Sequence, residues 1–297
     1  MLLRTFAKVN GAPMGQAHAD VLNTLIVDVT MPALIIGVLV KRDLVWGAAQ
    51  ALLPSTLALL LTGAAAFLCT RALGADRKLQ GSAVLMAAFC NTGFLGFPLL
   101  LALFPNDATA SSTALLVDTV DTTLLLWTVG LAVALRLGSG ERFTARVAAR
   151  VLLRPLTLAI VVGLSLRAGH IELPGFVEGA LAALASCTSP LVFLSLGLQL
   201  DLKALQGRAL PVAAVTALKL LLAPLLCLLI VRALRMPEPI ASVVVFQCAM
   251  PSAMAGVIVA ARAGCDRAFA AGAATATTLL CLLTLPAIGW LLTRTAP

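Results

Sequence analysis

The chain has little of the chemistry that soluble enzymes use. It contains no tyrosine and only two histidines, and charged residues make up only 11% of it. The seven cysteines include no C-x-x-C pair, so the spacing indicates neither a disulfide framework nor a zinc site. No cluster of histidine and acidic residues suggests a catalytic centre. The sequence therefore predicts a protein that is not an enzyme and that has no cofactor or metal site.

What the chain has instead is apolar length. Hydrophobic residues make up 61% of its 297 residues and its mean hydropathy is +1.04. A soluble domain has about 25% charged residues, so this chain is predicted to be an integral membrane protein surrounded by lipid. The net charge of +8 comes from basic residues scattered between apolar runs. Such scatter is typical of membrane topology rather than of nucleic-acid binding.

One apolar run, from Ser82 to Phe104, is long enough to cross a membrane but is interrupted at its middle. Residues Met86–Pro98 read MAAFCNTGFLGFP, and both proline and glycine weaken a helix. An unpaired peptide group in lipid costs several kcal/mol, so such a break must face protein or a wet cavity. A second stretch of this kind, Phe246–Gly256, reads FQCAMPSAMAG. Two interrupted spans in the two halves of a membrane protein indicate the binding site of a transporter.

Nine membrane crossings are predicted from the apolar runs. They lie at about 21–40, 45–70, 80–104, 109–136, 150–168, 175–200, 208–234, 239–262 and 268–293. Fourteen basic residues fall on the side of the N-terminus, and six fall on the other: Lys41, Arg42, Arg167, Arg232, Arg235 and Arg294. The positive-inside rule therefore predicts a cytoplasmic N-terminus and a periplasmic C-terminus in a bacterial inner membrane.

The two halves of the chain share a weak internal repeat. Pro32 and Pro190 match within TMPALIIGVLVKRDL and TSPLVFLSLGLQLDL at an offset of 158, and residues 71–73 match residues 232–234 at an offset of 161. Because an odd number of crossings separates the halves, equivalent spans are predicted to run in opposite directions. The sequence thus predicts inverted repeats.

These residues resemble the auxin efflux carrier family of transporters over almost the whole chain, from about Val21 to Leu292. The resemblance rests on LNTLIVDVTMPALI at 22–35, CNTGFLGFPLL at 90–100, SPLVFLSLGLQL at 189–200, AMPSAMAGVIVA at 249–260 and TLLCLLTLPAIGWL at 278–291. It implies two inverted five-helix repeats, a scaffold domain, and a core domain whose two broken helices cross near mid-membrane. It also implies elevator-like transport of organic anions, such as auxin in plants and malonate or malate in bacteria.

The predicted fold is therefore an all-α integral membrane protein of the bile-acid-symporter type, with inverted repeats and two crossing broken helices. The predicted segments are a cytoplasmic N-terminal segment (1–20), a scaffold helix (21–43), the first core repeat (44–137), a cytoplasmic loop (138–149), scaffold helices (150–202) and the second core repeat (203–297). Family members usually begin with one more helix, which residues 1–20 are too polar to form. Three explanations for the missing helix stay open: a mis-assigned start codon, a shortened chain and a true nine-helix member. The missing helix would belong to the scaffold domain, through which a homodimer is predicted.

The polar side chains at the two interruptions are candidates for substrate binding. Asn91 is predicted to donate to a substrate carboxylate beside the positive dipole end of a half-helix, while capping of that half-helix is the structural alternative. The predicted substrate-binding set is Asn91, Thr92, Phe94, Gln247, Met250 and Ser252. For Gln247 and Ser252 the alternative is a hydrogen bond between helices. The residues predicted to shape the breaks are Gly93, Gly96, Pro98 and Pro251.

Three charged residues are predicted inside membrane spans. Asp118 and Asp121 lie three positions apart and are predicted to share one helix face. In a poorly solvated site two such carboxyl groups tend to keep a proton, which would suit proton coupling, unless both are hydrated near the outer surface. Lys219 is predicted to pair with Asp118, Asp121 or Asp28, or else to neutralise the substrate.

The sequence therefore predicts a secondary transporter of a small organic anion. The carboxylate would bind where spans 80–104 and 239–262 cross, and the core would then move against the scaffold. Proton coupling or facilitated movement is favoured because no cluster of carboxylates and carbonyl-rich turns requires sodium. The alternatives are a sodium-coupled carrier of the bile-acid type, a membrane enzyme acting on lipid-linked substrates, and a channel or non-transporting sensor.

Overall fold

The computed structural model describes residues 8–9, 12–13, 16–41, 46–105, 107–142, 144, 153, 155–199 and 208–295. Much of the predicted cytoplasmic segment 1–20 and of the loop 138–149 lies outside these residues. The described chain is almost entirely helical, apart from turns and one antiparallel pair of two-residue strands, β1 (Lys8–Val9) and β2 (Ala12–Pro13). The predicted all-α class is confirmed.

In the first half of the chain, the described residues form seven α-helices, together with three π-helical segments and one 3-10 segment. In order they are α1 (Gln16–Leu25), a π-helix (Ile26–Thr30), α2 (Met31–Lys41), a 3-10 helix (Trp46–Ala51), α3 (Leu52–Ala72), α4 (Arg77–Ala88), a π-helix (Thr92–Gly96), α5 (Phe97–Leu103), α6 (Ala108–Val117), a π-helix (Asp118–Gly130) and α7 (Leu131–Leu137). Where these segments follow one another directly, they form one continuous rod.

In the second half, the described residues form eight further α-helices. They are α8 (Pro155–Ala168), α9 (Gly175–Ser186), α10 (Thr188–Gln199), α11 (Ala209–Ala217), a π-helix (Leu218–Leu222), α12 (Ala223–Ala233), α13 (Ile240–Cys248), α14 (Met254–Arg262) and α15 (Arg267–Thr295).

Six helical rods of the described chain are long and apolar enough to cross a membrane. They are Val21–Val40, Gly47–Ala72, Ala108–Leu137, Gly175–Ser195, Ala209–Ala233 and Arg267–Trp290. The count of nine crossings stays a prediction, since α8 has only 14 residues and two predicted spans are each divided into two short helices.

Three of the π-helical segments have a physical cause in the sequence, because each ends two residues before a proline. These prolines are Pro32, Pro98 and Pro224. A proline has no N–H to donate, and its ring clashes with the carbonyl four residues earlier. A locally widened turn, in which the preceding residue bonds five positions back, relieves that clash without ending the helix. Phe97, for example, donates its N–H to the carbonyl oxygen of Thr92.

The chain divides into two compact units. Unit 1 consists of Met1–Leu44 and Ala149–Asp201, and unit 2 of Val45–Ala148 and Leu202–Pro297. Within unit 1, α2 packs against α8 and α9, and α1 packs against α10. The Ser195 hydroxyl donates to Asn23 Oδ1 over 2.6 Å, which ties α10 to α1.

Unit 2 repeats one series of elements: a long rod, two half-helices and a second long rod. The first series is 46–72, α4, 92–103 and 108–137, and the second is 209–233, α13, α14 and α15. Two turns of the first series are set by aspartates. Asp76 caps α4 by accepting from the Leu79 N–H at 2.8 Å, and Asp107 caps α6 by accepting from the Ala110 N–H at 2.9 Å. The inverted direction of the second series stays a prediction.

Candidate functional site

The two interrupted helices of unit 2 meet at their interruptions. Between α4 and the next half-helix the backbone is extended, and it pairs antiparallel with the segment between α13 and α14 through a bridge of Cys90 and Ser252. The Asn91 N–H donates to the Pro251 carbonyl over 2.7 Å, and the Ala253 N–H donates to the Phe89 carbonyl over 2.9 Å. Each break therefore supplies partners for the backbone groups that the other has freed.

Side chains complete this pairing of the two breaks. The Ser252 hydroxyl, fully buried, donates to the Met86 carbonyl over 2.6 Å, and the Ser252 N–H donates to Thr277 Oγ1 over 3.2 Å. Backbone irregularity at membrane depth requires such partners, because no bulk water is present to replace them. Ser252 thus ties the crossing together, and its hydroxyl is already engaged.

Pro98 does not lie where the helix breaks. The interruption falls at 89–91, whereas Pro98 stands near the start of α5 and continues the same half-helix as Thr92–Gly96. Proline is tolerated there because the preceding π-helix relieves its clash. Pro251, by contrast, lies in the second interruption and accepts the Asn91 N–H.

Gly93 and Gly96 allow neighbouring side chains to approach the half-helix backbone. A Cβ atom on Gly93 would lie 2.7 Å from Asp118 Oδ1, closer than real contacts of this kind. A Cβ atom on Gly96 would collide with Gln247 Oε1 and lie 3.1 Å from Met250 Cγ. Both glycines therefore fit the side chains packed on them, and neither supplies a binding group of its own.

Two buried amide side chains at the crossing each have an atom without a hydrogen-bond partner. Asn91 is 2% exposed, and its Nδ2 donor has no partner. Gln247 is fully buried; its Nε2 donates to the Ala114 carbonyl over 3.1 Å, while Oε1 has no partner. Buried polar groups are usually satisfied, so an orphan donor and an orphan acceptor here have to be explained. A polar ligand would satisfy them.

Both predicted carboxylates are buried rather than hydrated at the surface, since Asp118 and Asp121 are each 5% exposed. Asp118 Oδ1 accepts from the Thr92 hydroxyl over 2.7 Å, and Asp121 Oδ1 accepts from the Thr56 hydroxyl over 2.8 Å. The two carboxyl groups, both within the π-helix Asp118–Gly130, therefore hydrogen-bond to different helices. That they share one helix face stays a prediction.

Lys219 is fully buried within the π-helix Leu218–Leu222. Its Nζ lies 2.6 Å from Cys90 Sγ, and Asp121 is within electrostatic range. Among the residues that the structure describes, no carboxylate oxygen lies within 4 Å of this ammonium group. The ion pair expected from the sequence is thus missing there, and a thiol is a weak acceptor for a charged donor.

A small cavity lies beside the crossing, with room for about one water molecule. Its wall combines polar groups from both series of unit 2 with small apolar side chains. The lining residues are Ser55, Ala58, Leu59, Ala88, Cys90, Thr92, Val117, Asp121, Ala223, Gln247 and Cys248. Of the predicted site residues, Thr92, Gln247 and Asp121 are in this wall, and Asn91 and Lys219 adjoin it through Cys90.

The other predicted binding residues lie at the crossing in different settings. Met250 is fully buried against Gly96, and Phe94 is half-buried in the π-helix Thr92–Gly96. Neither side chain is in the wall of the cavity.

Three residues that sequence reasoning missed belong to the same site. Cys90 contacts Lys219, and the Thr122 hydroxyl lies 2.6 Å from Thr92 Oγ1 and donates to the Cys90 carbonyl over 3.2 Å. Thr56 holds Asp121 from a helix 65 positions away. Cys90 and Thr122 each adjoin a predicted residue in the sequence, which is the only local signal. Nothing in the sequence around Thr56 points to Asp121.

A profile of the family described as membrane transport protein matches residues 6–146 and 141–289, almost the whole chain. The chain belongs to this family. The resemblance to auxin efflux carriers is thereby confirmed, and the protein is a membrane transporter rather than an enzyme.

Two archaeal members of the membrane transport protein family are similar to the chain over nearly its full length. An uncharacterized transporter of Methanothermobacter thermautotrophicus is 29% identical over 288 residues, which cover 96% of this chain and 93% of the relative. A second uncharacterized transporter, from Methanocaldococcus jannaschii, is 27% identical over 303 residues, covering 98% of this chain and 95% of that relative. Neither name states a substrate.

Proposed function

We propose that the protein is a secondary transporter that moves a small organic anion across the bacterial inner membrane by elevator-type alternating access. The substrate is a carboxylate, such as malonate, malate or an auxin-like acid, and it binds at the crossing of the two interrupted helices. Unit 2 is the moving body, and unit 1 is the scaffold. The N-terminus is cytoplasmic and the C-terminus periplasmic.

The observation that carries this proposal is the unpartnered Asn91 Nδ2, a buried donor at the start of a half-helix. The first N–H groups of a helix have no partner within the helix and carry its positive dipole end. Asn91 Nδ2 and these N–H groups together offer donors to a carboxylate. A hydrogen bond to a charged group contributes about 1.5–3 kcal/mol, so Asn91 alone accounts for a substantial part of the affinity.

Charge at the site also favours an anion. Lys219 is fully buried with a thiol as its close partner, and Asp121 lies within electrostatic range of it. Protonation of Asp118 and Asp121 leaves Lys219 as the charged group of the three, and an anion beside Cys90 then reduces the several kcal/mol that a buried ammonium costs. The Gln247 Oε1 acceptor adds a place for a hydroxyl group or a protonated carboxyl group of the substrate.

The size of the cavity favours a carrier that must move. Space for about one water molecule is too small for malonate, so the crossing has to open before a substrate can enter. Alternating access supplies that opening, first toward one side of the membrane and then toward the other.

The coupling ion is proposed to be a proton held by Asp118 or Asp121, since intramembrane carboxylates mark proton pathways. A sodium-coupled carrier of the bile-acid type is a second candidate, favoured by one observation. Four oxygen atoms follow one another at hydrogen-bonding distance: Asp118 Oδ1, Thr92 Oγ1, Thr122 Oγ1 and the Cys90 carbonyl oxygen. Oxygen atoms are the ligands of hard cations.

A homodimer through the scaffold is proposed as well. Helix α9 of unit 1 has no buried residue although it is apolar, and Phe176 on it is 80% exposed. Such a face meets either lipid or a second copy. Cross-linking of a Phe176→Cys variant in membranes tests the pairing: a covalent dimer supports it, and a monomer under oxidant counts against it.

The test of the proposed function is counterflow in proteoliposomes. Vesicles loaded with an organic acid should accumulate the same labelled acid from outside, with saturation, and the corresponding neutral amide should not exchange. Replacing sodium by choline should leave the rate unchanged if a proton is the coupling ion, and should stop transport if sodium is. Lack of saturable exchange for every carboxylate in a broad panel would refute organic-anion transport.

A further inference from the structure

A second cavity in unit 2 lies apart from the crossing, at the turn between α12 and α13. Its volume is about 250 Å³, far larger than that of the cavity at the crossing. The wall contains apolar side chains of both helices together with three charged residues, Arg232 at the end of α12 and Arg235 and Glu238 in the turn. The lining residues are Leu228, Val231, Arg232, Arg235, Met236, Glu238, Ala241 and Val245.

The charges of this wall suit a single negative group. Arg232 and Arg235 are exposed, and within the described part of the chain no carboxylate pairs with either guanidinium at salt-bridge distance. Glu238 is engaged elsewhere, because its Oε2 accepts from the Ser242 N–H over 3.2 Å. Two positive charges and one negative charge leave the wall with a net charge of one positive unit.

The backbone at Arg235 gives an independent reason to look for a function. Arg235 has φ 50°, in the left-handed region that favours glycine. In the matched turn of the first series, 161 positions earlier, the corresponding residue is Gly74, with φ 72°. The second turn therefore keeps an arginine at a position where glycine is the less strained choice. A non-glycine residue in such a conformation suggests a role for its side chain.

One buried apolar cluster contributes to the walls of both cavities, which are called the outer cavity, at the turn between α12 and α13, and the inner cavity, at the crossing. Val231, Ala241 and Val245 of the outer wall belong to the same cluster as Ala58 and Cys248 of the inner wall. Helix α13 lines the outer cavity with Ala241 and Val245 and the inner one with Gln247 and Cys248. A ligand held in the outer cavity would thus contact the same helix and the same apolar cluster that line the inner cavity.

We propose that this cavity, lined by Arg232, Arg235 and Met236, is an outer binding site for an organic monocarboxylate with an apolar body. The inference rests on the proposed function and narrows its substrate class. The guanidinium groups bind the carboxylate, for which paired N–H donors are well matched. Leu228, Val231 and Val245 cover the hydrocarbon part. Glu238 repels a second carboxylate, so monoacids bind better than diacids such as malonate.

The test measures occupancy of the cavity directly, without transport. A Met236→Cys variant is purified into nanodiscs of neutral phosphatidylcholine, and its alkylation by a maleimide is followed at that peptide by mass spectrometry. Benzoate at millimolar concentration should slow the modification several-fold, and malonate should slow it less. A Leu73→Cys variant at the matched turn is the control and should be unaffected. Equal rates with and without benzoate overturn the proposal.

Two further variants separate binding from folding. In the Met236→Cys background, Arg235→Gly relieves the left-handed strain, so it should raise the melting temperature and yet abolish protection by benzoate. Glu238→Gln keeps an acceptor for the Ser242 N–H and should let malonate protect as well as benzoate. Full protection of the introduced cysteine by benzoate in the Arg235→Gly variant overturns the proposal. The proposal is also overturned if nanodiscs of phosphatidylglycerol slow the alkylation without any added acid, because the cavity would then bind lipid headgroups.

The outcome is separable from that of the proposed function. A Met236→Cys variant that also carries Asn91→Ala should still be protected by benzoate although its transport is strongly reduced, because Asn91 is not part of the outer wall. Full transport by the Asn91→Ala protein contradicts the proposed function alone. Loss of benzoate protection in the Met236→Cys variant with intact Asn91 contradicts the outer site alone.

Discussion

The Asn91 N–H donates to the Pro251 carbonyl oxygen over 2.7 Å, although the two residues belong to different halves of the chain. Neither group would be free to make this bond if its helix were continuous. The bond therefore joins the two interruptions, and it holds the Asn91 side chain where the Nδ2 donor has no partner.

The paired interruptions predict a disulfide between Cys90 and a cysteine placed at Ser252. These residues form an antiparallel bridge flanked by the bonds of Asn91 and Ala253, which makes them a non-hydrogen-bonded pair with Cα atoms about 4.5 Å apart. That separation suits a disulfide. Treatment of Ser252→Cys membranes with iodine should link the two cysteines, detected by mass spectrometry. The same variant carrying Cys90→Ser is the control and should form no such link. Absence of the link in the Ser252→Cys protein that keeps Cys90 would contradict the pairing of the two interruptions.

Gly96 is predicted to tolerate no side chain. A Cβ atom there would collide with Gln247 Oε1 and crowd Met250, so Gly96→Ala should lower the free energy of unfolding by about 1–3 kcal/mol. The matched control is Gly179→Ala in α9, where a Cβ meets nothing within 4 Å and a small gain in helix stability is expected. Thermal unfolding in detergent compares the two. Equal melting temperatures for both variants would contradict the packing described at Gly96.

Lys219 is predicted to serve the anion rather than the fold. In Lys219→Met the buried charge disappears, so the melting temperature should stay unchanged or rise. Uptake of the organic anion should fall at least about tenfold, since an interaction worth roughly 1.4 kcal/mol or more is lost. The measurement is initial uptake at matched reconstitution. Wild-type uptake by Lys219→Met would rule out the counter-charge role, and severe unfolding would instead indicate a structural ion pair.

Asp118 and Asp121 are predicted to couple transport to protons. A variant carrying both Asp118→Asn and Asp121→Asn keeps an acceptor for the Thr92 and Thr56 hydroxyls, so the fold should persist. It should still exchange labelled substrate at equal pH, because exchange moves no net proton. Accumulation driven by a pH gradient should be lost. If the double variant accumulates substrate as the wild type does, neither carboxylate carries the proton.

The sequence was informative where chemistry is local. Proline and glycine inside an apolar run predicted the two interruptions, and Asn91 and Gln247 stand out as polar residues beside them. The class of fold and the transporter family also followed from composition and short motifs. These features depend on residues close together in the chain, so a single sequence carries them.

The sequence did not reveal contacts that depend on packing. Pro98 stands in an apolar run and so predicts a break, but the widened turn before it lets the helix continue. The partners of Asp118 and Asp121 are threonines of two other helices, which spacing along the chain does not identify. The thiol contact of Lys219 and the role of Thr56 each join helices that are far apart in the chain. No periodicity encodes such pairs.

The most direct test of the account is counterflow of a labelled carboxylate by the Asn91→Ala protein in proteoliposomes. The variant keeps the backbone bond to Pro251 and should therefore fold and give the Cys90 cross-link when Ser252→Cys is added. Loss of one hydrogen bond to a charged substrate, worth about 1.5–3 kcal/mol, predicts a fall in exchange of roughly 10- to 150-fold at low substrate concentration. Exchange at the wild-type rate by the folded variant would contradict the binding of an anion at the crossing.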